Sequence, residues 1–205
     1  MIKAIFFDFD MTLVNTGTIG HIVYDAFSRH ANLKPTERAF DRYMGGRVSD
    51  ALDMFSKNGA DRKELFKLFM RIHDEKMNQI KVYGKEILKY LRKKKIKVVI
   101  LSNTSRKVLK KVCKQFNLHY SLLIGDEDMP KGTEKHQAIS KTIRKLGLTK
   151  DGVLYVGDHI HDIQEGKKAG VKVISVTTGV YSGKQLEKYK PYMIISNLNQ
   201  LKNII

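Results

Sequence analysis

Apolar residues along the chain fall into short unbroken runs, separated by stretches in which they recur every three or four positions. The first run, Ile2-Lys3-Ala4-Ile5-Phe6-Phe7, is followed at once by Asp8 and Asp10. A run of this kind bounded by carboxylates predicts a buried parallel strand whose C-terminal end opens into a polar crevice. From about Gly17 to Ile80 the spacing becomes helical, through Ile22 and Phe27, then Ala51, Leu52 and Phe55, then Leu65, Leu68, Phe69 and Ile72. No convincing strand interrupts that stretch. From about Tyr83 onward helices and strands alternate. A helix over 85–94 leads to a strand over 98–101, and a helix over 105–116 to a strand over 121–124. A helix over 135–146, stopped by Gly147, leads to a strand over 153–156. A short helix over 163–169 precedes a strand over 171–176, and a strand over 193–195 precedes a last helix over 198–205.

Strands alternating with helices imply parallel pairing through right-handed crossovers. The expected fold is therefore α/β, a doubly wound three-layer sandwich with a mainly parallel sheet, plus a small all-α cap. Residues 1–16 and 81–205 are assigned to the α/β core and residues 17–80 to the helical insertion, with hinges at Gly17-Thr18 and around Tyr83-Gly84. Four of the strands end in polar residues, Asp8, Ser102, Asp126 and Asp158. Parallel strands bring such ends to one edge, where open α/β sheets bind ligands, and the insertion emerges over that edge as a lid.

Composition narrows this picture. With 205 residues and 42% hydrophobic content the chain can bury one core plus a modest insertion. The single cysteine, Cys113, cannot form an internal disulfide and lies in an amphipathic stretch, so a buried or half-buried thiol is expected. No secretory signal and no apolar segment of membrane-spanning length is visible, which predicts a soluble cytoplasmic protein without membrane partners. Lys and Arg number 38 against 21 Asp and Glu, a net charge of +17. The lysines are spread along helices, as in Lys107-Lys110-Lys111-Lys114, a pattern of solvated helix faces rather than of a docking surface. Nucleic acid is thus a minor alternative as partner, through a binding module or an end-processing enzyme.

The acids at the first strand end carry the chemistry. Two carboxylates held this close repel one another unless a cation or a proton compensates. A hard divalent ion such as Mg2+ takes oxygen ligands of this type. Taken singly, Asp8-Phe9-Asp10 also fits an Asp-rich turn, and Gly157-Asp158 a tight turn with an N-cap.

Asp8-Phe9-Asp10-Met11-Thr12 matches the DxDxT signature of the haloacid dehalogenase-like superfamily of phosphohydrolases. Ser102-Asn103 at a strand end resembles its second motif, Lys135 opening a helix its third, and Gly157-Asp158-His159-Ile160-His161-Asp162 its GDxxxD fourth. Four motifs in order, each on the expected element, resemble the family from Ile2 to about Val176. The resemblance implies that Asp8 is the nucleophile, forming an aspartyl-phosphate. It implies that Asp10 protonates the leaving oxygen and then activates water. Asp8, the backbone carbonyl of Asp10, and Asp158 would bind the magnesium ion, and Asp162 would ligate it through water or hold the lysine. Thr12, Ser102 and Asn103 would meet the phosphoryl oxygens. Lys135 is preferred over Lys131 as the lysine that neutralises the transition state, because it immediately opens an amphipathic helix. The chain lacks the Lys-Pro pair of many relatives. His159 and His161, two apart, lack a third soft ligand and are expected to pack in a loop or face solvent rather than bind zinc.

Asp10 favours transfer of phosphate from oxygen, since relatives that dehalogenate carbon lack an acid there. The helical insertion resembles the cap of phosphoglycolate phosphatases and β-phosphoglucomutases. Gly45-Gly46-Arg47 within it is the candidate substrate contact, through an Arg47 clamp on an anionic group, with a helix-joining loop and solvated Arg as the alternative. The expected function is a magnesium-dependent phosphatase of a small phosphorylated metabolite, phosphoglycolate-like, with a sugar phosphomutase as the nearest alternative.

Overall fold

The computed structural model describes residues 1–36, 40, 43 and 46–205. Its centre is a six-stranded, all-parallel sheet. The strands are β1 (Ala4–Phe7), β4 (Lys97–Leu101), β5 (Leu122–Ile124), β6 (Val153–Gly157), β7 (Lys172–Val176) and β8 (Met193–Ile195), in the order β5-β4-β1-β6-β7-β8. Strand β1 sits where the order reverses direction, between β4 and β6. Its C-terminal end is therefore the topological switch point at which a crevice opens.

The period-2 alternation of a strand divides β1 between two cores. Ile5 and Phe7 join one buried cluster, and Ala4 and Phe6 the other. The first cluster is closed by α4 (Lys85–Lys93) and α5 (Arg106–Gln115), through Ile87, Leu88, Leu91, Val108, Leu109 and Val112, and by the C-terminal 3-10 helix Leu198–Asn203. The second is closed by α6 (Lys135–Lys145), α7 (Ile160–Ala169) and α8 (Gly183–Glu187), through Ala138, Ile139, Ile143, Ile163 and Leu186. Each fully buried side chain of this size contributes roughly 1.5–3 kcal/mol. The lysines of α4 and α5 lie on the outward faces, as amphipathic spacing requires. Cys113 is buried against the first cluster, and burial pushes its thiol up to about 12.

Between β2 (Val14–Asn15) and β3 (Lys81–Val82) the chain forms α1 (Gly17–His30), α2 (Val48–Lys57) and α3 (Arg62–Lys76). Asp61 starts α3 by accepting a hydrogen bond from the Glu64 N–H at 2.8 Å. Phe27, Leu52, Phe55, Leu65 and Phe69 of these helices share one continuous apolar cluster with Phe9 and Leu13 below them.

The sequence reading misses the antiparallel pair β2–β3, because two residues per strand are too few to show alternation. It also misses α8, which has five residues, and it extends the C-terminal helix, which is 3-10 and ends at Asn203. Among the described residues no helix is long and apolar enough to cross a membrane.

Candidate active site

Asp8 follows β1 directly, and its N–H donates to the Val156 carbonyl of β6 at 2.8 Å. Asp158 follows β6, and Asp162 lies in the first turn of α7. The three carboxylates are buried, and each offers an oxygen within 4.8 Å of the others. Lys135, at the first position of α6, reaches between them. Its Nζ is 2.6 Å from Asp8 Oδ1 and 2.8 Å from Asp162 Oδ1.

The hydrogen bonds separate the roles of these acids. Both oxygens of Asp162 are engaged, Oδ1 by Lys135 and by the Tyr155 hydroxyl at 3.0 Å, Oδ2 by the His159 N–H at 3.2 Å. Asp162 therefore holds the lysine. Among the described residues Asp8 and Asp158 each keep one oxygen without a hydrogen bond: only Oδ1 of Asp8 is engaged, by Lys135, and only Oδ1 of Asp158, by the Thr12 hydroxyl at 2.7 Å.

Three carboxylates share one ammonium in a buried place, and their acidities register the mismatch. Burial lifts Asp8 to about 7, against the pull of Lys135 and with the push of Asp162 and Asp10. Burial likewise lifts Asp158 well above the carboxylate range, helped by Asp8 and Asp162. At Asp162 burial is outweighed by Lys135, so its carboxyl stays below the usual value. Burial pulls the Lys135 ammonium down, but Asp162 and Asp8 overcome it and raise the lysine well above normal. An all-oxygen donor set with excess negative charge fits a hard divalent cation such as magnesium.

Asp10 lies beside this cluster and turns its carboxylate elsewhere. Oδ1 accepts from the Thr16 hydroxyl at 2.7 Å. Oδ2 accepts from the hydroxyls of Thr104 at 2.6 Å and Ser102 at 3.2 Å. Met11, the next residue, has φ 58°, a left-handed conformation in the turn that follows the two acids, and its carbonyl accepts from the Thr178 hydroxyl. A cavity of about 100 Å3 opens over Asp8 and Asp10, lined also by Ser102, Asn103, Lys135 and Asp158 from the core and by Tyr43, Phe69 and His73 from the insertion.

Several expected contacts fall differently. The Thr12 hydroxyl is fully buried and donates to Asp158, away from the cavity, so it orients a carboxylate instead of meeting a phosphoryl oxygen. Lys131 is at the surface, paired 3.0 Å from Asp53. Asp126, at the end of β5, points into the loop beneath α2 rather than into the cavity.

Arg47 is the largest correction. It reaches the cavity wall, yet its guanidinium donates to the Asp126 carboxylate and to the carbonyls of Asp126, Met129, Pro130 and Thr133. A guanidinium has five N–H donors, and these five acceptors engage them, so no donor is left for a substrate anion. Ser49 adds two more hydrogen bonds to Asp126, from its N–H at 2.6 Å and its hydroxyl at 3.0 Å. Arg47 fastens α2 to the loop that leads into Lys135. Of the Gly45-Gly46-Arg47 segment, Gly45 lies outside the described residues.

His159 packs its ring edge-on against Tyr181 at 4.8 Å, and its Nδ1 accepts from the His161 N–H. A second acidic group, Glu134, His136 and Glu165, lies behind Lys135. There Lys168 supplies the compensating charge, 3.0 Å from Glu134 and 2.7 Å from Glu165. The buried Glu165 carboxylate also accepts from the His136 N–H at 2.9 Å, so α7 clamps the residue next to Lys135 as well as Lys135 itself.

Sequence reasoning overlooks Thr16, Thr104 and Gly179. Thr104 sits two residues beyond Ser102 and was legible as part of a hydroxyl-rich strand end. Gly179 follows β7, a fifth strand end, in Thr177-Thr178-Gly179. A Cβ at Gly179 would overlap the Asp158 carboxylate, and one at Gly157 would overlap that of Asp162. Glycine at these two positions lets backbone press directly against the acids.

A model of the family described as haloacid dehalogenase-like hydrolase matches residues 5–176. A protein of Caldanaerobacter subterraneus subsp. tengcongensis that carries the name of the pyrophosphatase PpaX is 29% identical over 100% of this chain and 94% of its own length. Phosphoglycolate phosphatase of Pseudomonas syringae pv. tomato is 27% identical over 65% of this chain and 51% of its length. Among solved structures, a haloacid dehalogenase-like protein from Bacteroides fragilis superposes with a TM-score of 0.82 at 21% identity, over 98% of this chain and all of that one. At that identity the superposition speaks for the fold alone. The family match spans the strands that carry Asp8, Ser102 and Asp158 and the helix that carries Lys135, and the chain belongs to the haloacid dehalogenase-like hydrolases.

Proposed function

We propose that the chain is a magnesium-dependent phosphatase of small phosphate monoesters, working through an aspartyl-phosphate on Asp8. The observation that carries this reading is the buried Asp8, gripped on one oxygen by Lys135 and, among the described residues, unengaged on the other, beside Asp158 and under a small cavity. Phosphoglycolate is the substrate that the resemblance and one relative's name suggest, and pyrophosphate the one another name suggests.

In the first step the free oxygen of Asp8 attacks phosphorus, and the bond from phosphorus to the leaving oxygen breaks. Asp10, held by three hydroxyls at the cavity edge, delivers a proton to that oxygen. In the second step Asp10 takes a proton from water, the water oxygen bonds to phosphorus, and Asp8 is released with inorganic phosphate. Lys135 balances the charge that gathers on the phosphoryl oxygens, and Asp162 keeps its ammonium in place. Asp8, Asp158 and the Asp10 carbonyl are the groups that would hold magnesium, which when bound neutralises the nucleophile and the phosphoryl group. Residues 17–80 act as a lid that excludes water, fastened through Arg47.

The test is release of inorganic phosphate from a panel of phosphate monoesters and pyrophosphate, with magnesium and with a chelator. Metal-dependent release supports the proposal. Isomerised sugar phosphate without phosphate release, or turnover unaffected by chelation, overturns it.

Gly179→Ala supplies an independent check. The added methyl group displaces the Asp158 carboxylate, and a misplacement near 1 Å in such a site can cost about 10²-fold in rate. The expected result is a fall of that order, with more magnesium needed for half-maximal activity. A variant with wild-type metal dependence would separate Asp158 from the metal.

A further inference from the structure

Two polar groups on the cavity wall have no task in the mechanism above. His73, on α3, is only 6% exposed and lines the cavity. Its Nδ1 lies 2.9 Å from the Phe69 carbonyl. A carbonyl only accepts, so Nδ1 carries the proton, and in the neutral ring Nε2 is an acceptor. Among the described residues nothing donates to Nε2. Burial holds the imidazole below its ordinary pKa, outweighing Asp10 and Asp74, which keeps it neutral. The second group is the Tyr43 hydroxyl, on the same wall and equally without a hydrogen-bond partner among the described residues. Burial, then the Asp10 carboxylate, raises its pKa, so it stays a protonated donor. Both rings are fixed by aromatic neighbours, His73 by Phe69 at 4.2 Å and Tyr43 by Tyr24 at 5.6 Å.

We infer that the leaving group of the substrate is a small uncharged alcohol bearing a further hydroxyl, which donates to His73 Nε2 and accepts from Tyr43. The inference rests on the phosphatase reading and narrows its substrate class. A polyol or sugar phosphate satisfies both groups at once. A carboxylate or a second phosphate does not, because the neutral Nε2 has no proton to offer it. Arg47, the one arginine at this wall among the described residues, has its donors engaged elsewhere. The carbon skeleton would lie against Phe69 and Met11. A cavity of about 100 Å3 is small beside the roughly 300–1,000 Å3 of pockets that take drug-sized ligands, which keeps the alcohol short.

Phosphate release from glycerol 1-phosphate, propyl phosphate, phosphoglycolate and pyrophosphate tests this directly. A site built to hydrogen-bond a substrate hydroxyl rejects analogues without it, so wild-type kcat/KM for glycerol 1-phosphate should exceed each of the others by about tenfold or more. His73→Phe and Tyr43→Phe should each pull glycerol 1-phosphate down toward propyl phosphate. Wild-type preference for phosphoglycolate or pyrophosphate overturns the leaving-group assignment and leaves the phosphatase reading standing. An equal fall on all four substrates in both variants also overturns it, since that marks a structural role. Phosphate from none of the four, nor from the wider panel, overturns both readings. Should His73→Phe fail to fold, Tyr43→Phe and the wild-type ranking decide.

Discussion

Asp8→Asn removes turnover, by about 10⁴-fold or more, while the protein stays folded. Losses of that size are known when a nucleophile is deleted and binding remains. Asn has nearly the shape of Asp but no oxygen able to attack phosphorus. Asp8 stands above the sheet edge rather than within either apolar cluster, so no packing is lost. Stability should even improve under one condition. The Asp8 carboxyl is lifted from 3.8 to about 7 in the folded chain, chiefly by burial. Between those values the unfolded chain has released the proton while the folded chain still binds it, so stability falls as pH rises through that window. Asn carries no proton to lose. In metal-free buffer the variant should melt at or above wild type at pH 8, and the difference should shrink toward pH 4. Phosphate-release kinetics and melting curves at the two pH values read both effects. A variant that retains turnover would exclude Asp8 as the nucleophile.

The architecture was legible because it rests on patterns that local sequence expresses. Unbroken apolar runs gave the buried strands, and the polar residue closing each run marked the sheet edge. The gathering of Asp8, Lys135 and Asp158 follows from that logic, since each is the first polar residue after a strand or at the start of a helix on that edge. What the chain hides is where a side chain spends its hydrogen bonds. Arg47 beside two glycines reads as a free cation, and only folding brings five acceptors from residues 126–133 around it. Thr12 reads as a phosphoryl contact, and only the approach of β6 to β1 gives its hydroxyl Asp158 instead. Gly179 reads as a turn residue, and its purpose appears only once Asp158 lies against its Cα. His73 falls at a core position of α3 by helical spacing, which conceals that it lines a cavity. The +17 charge has the same character: composition states the sum, while the lysines of α4 and α5 lie on the outward faces of those helices.

Lys135→Met should damage both rate and stability, and the two losses should be separable. Removing a fixed donor that stabilises charge in a transition state lowers kcat by about 10²–10³-fold. The same change leaves the Asp8 and Asp162 carboxylates facing each other without their shared ammonium. Breaking one side of a buried ion pair typically destabilises by about 3–5 kcal/mol. Adding Asp162→Asn removes one of the orphaned charges, so the double variant should regain much of the lost melting temperature and none of the lost kcat. Lys135→Arg should not rescue either, because a planar guanidinium cannot place one nitrogen between the two carboxylates in the space an ammonium fills. Lys131→Met is the matched comparison: its side chain is 87% exposed and pairs, among the described residues, only with Asp53, and both readouts should stay at wild-type level. If Lys131→Met lost activity while Lys135→Met kept it, the charge that steadies the phosphoryl group would come from the loop and not from the helix. A double variant no more stable than Lys135→Met would mean instead that the buried lysine stem carries the stability rather than its charge.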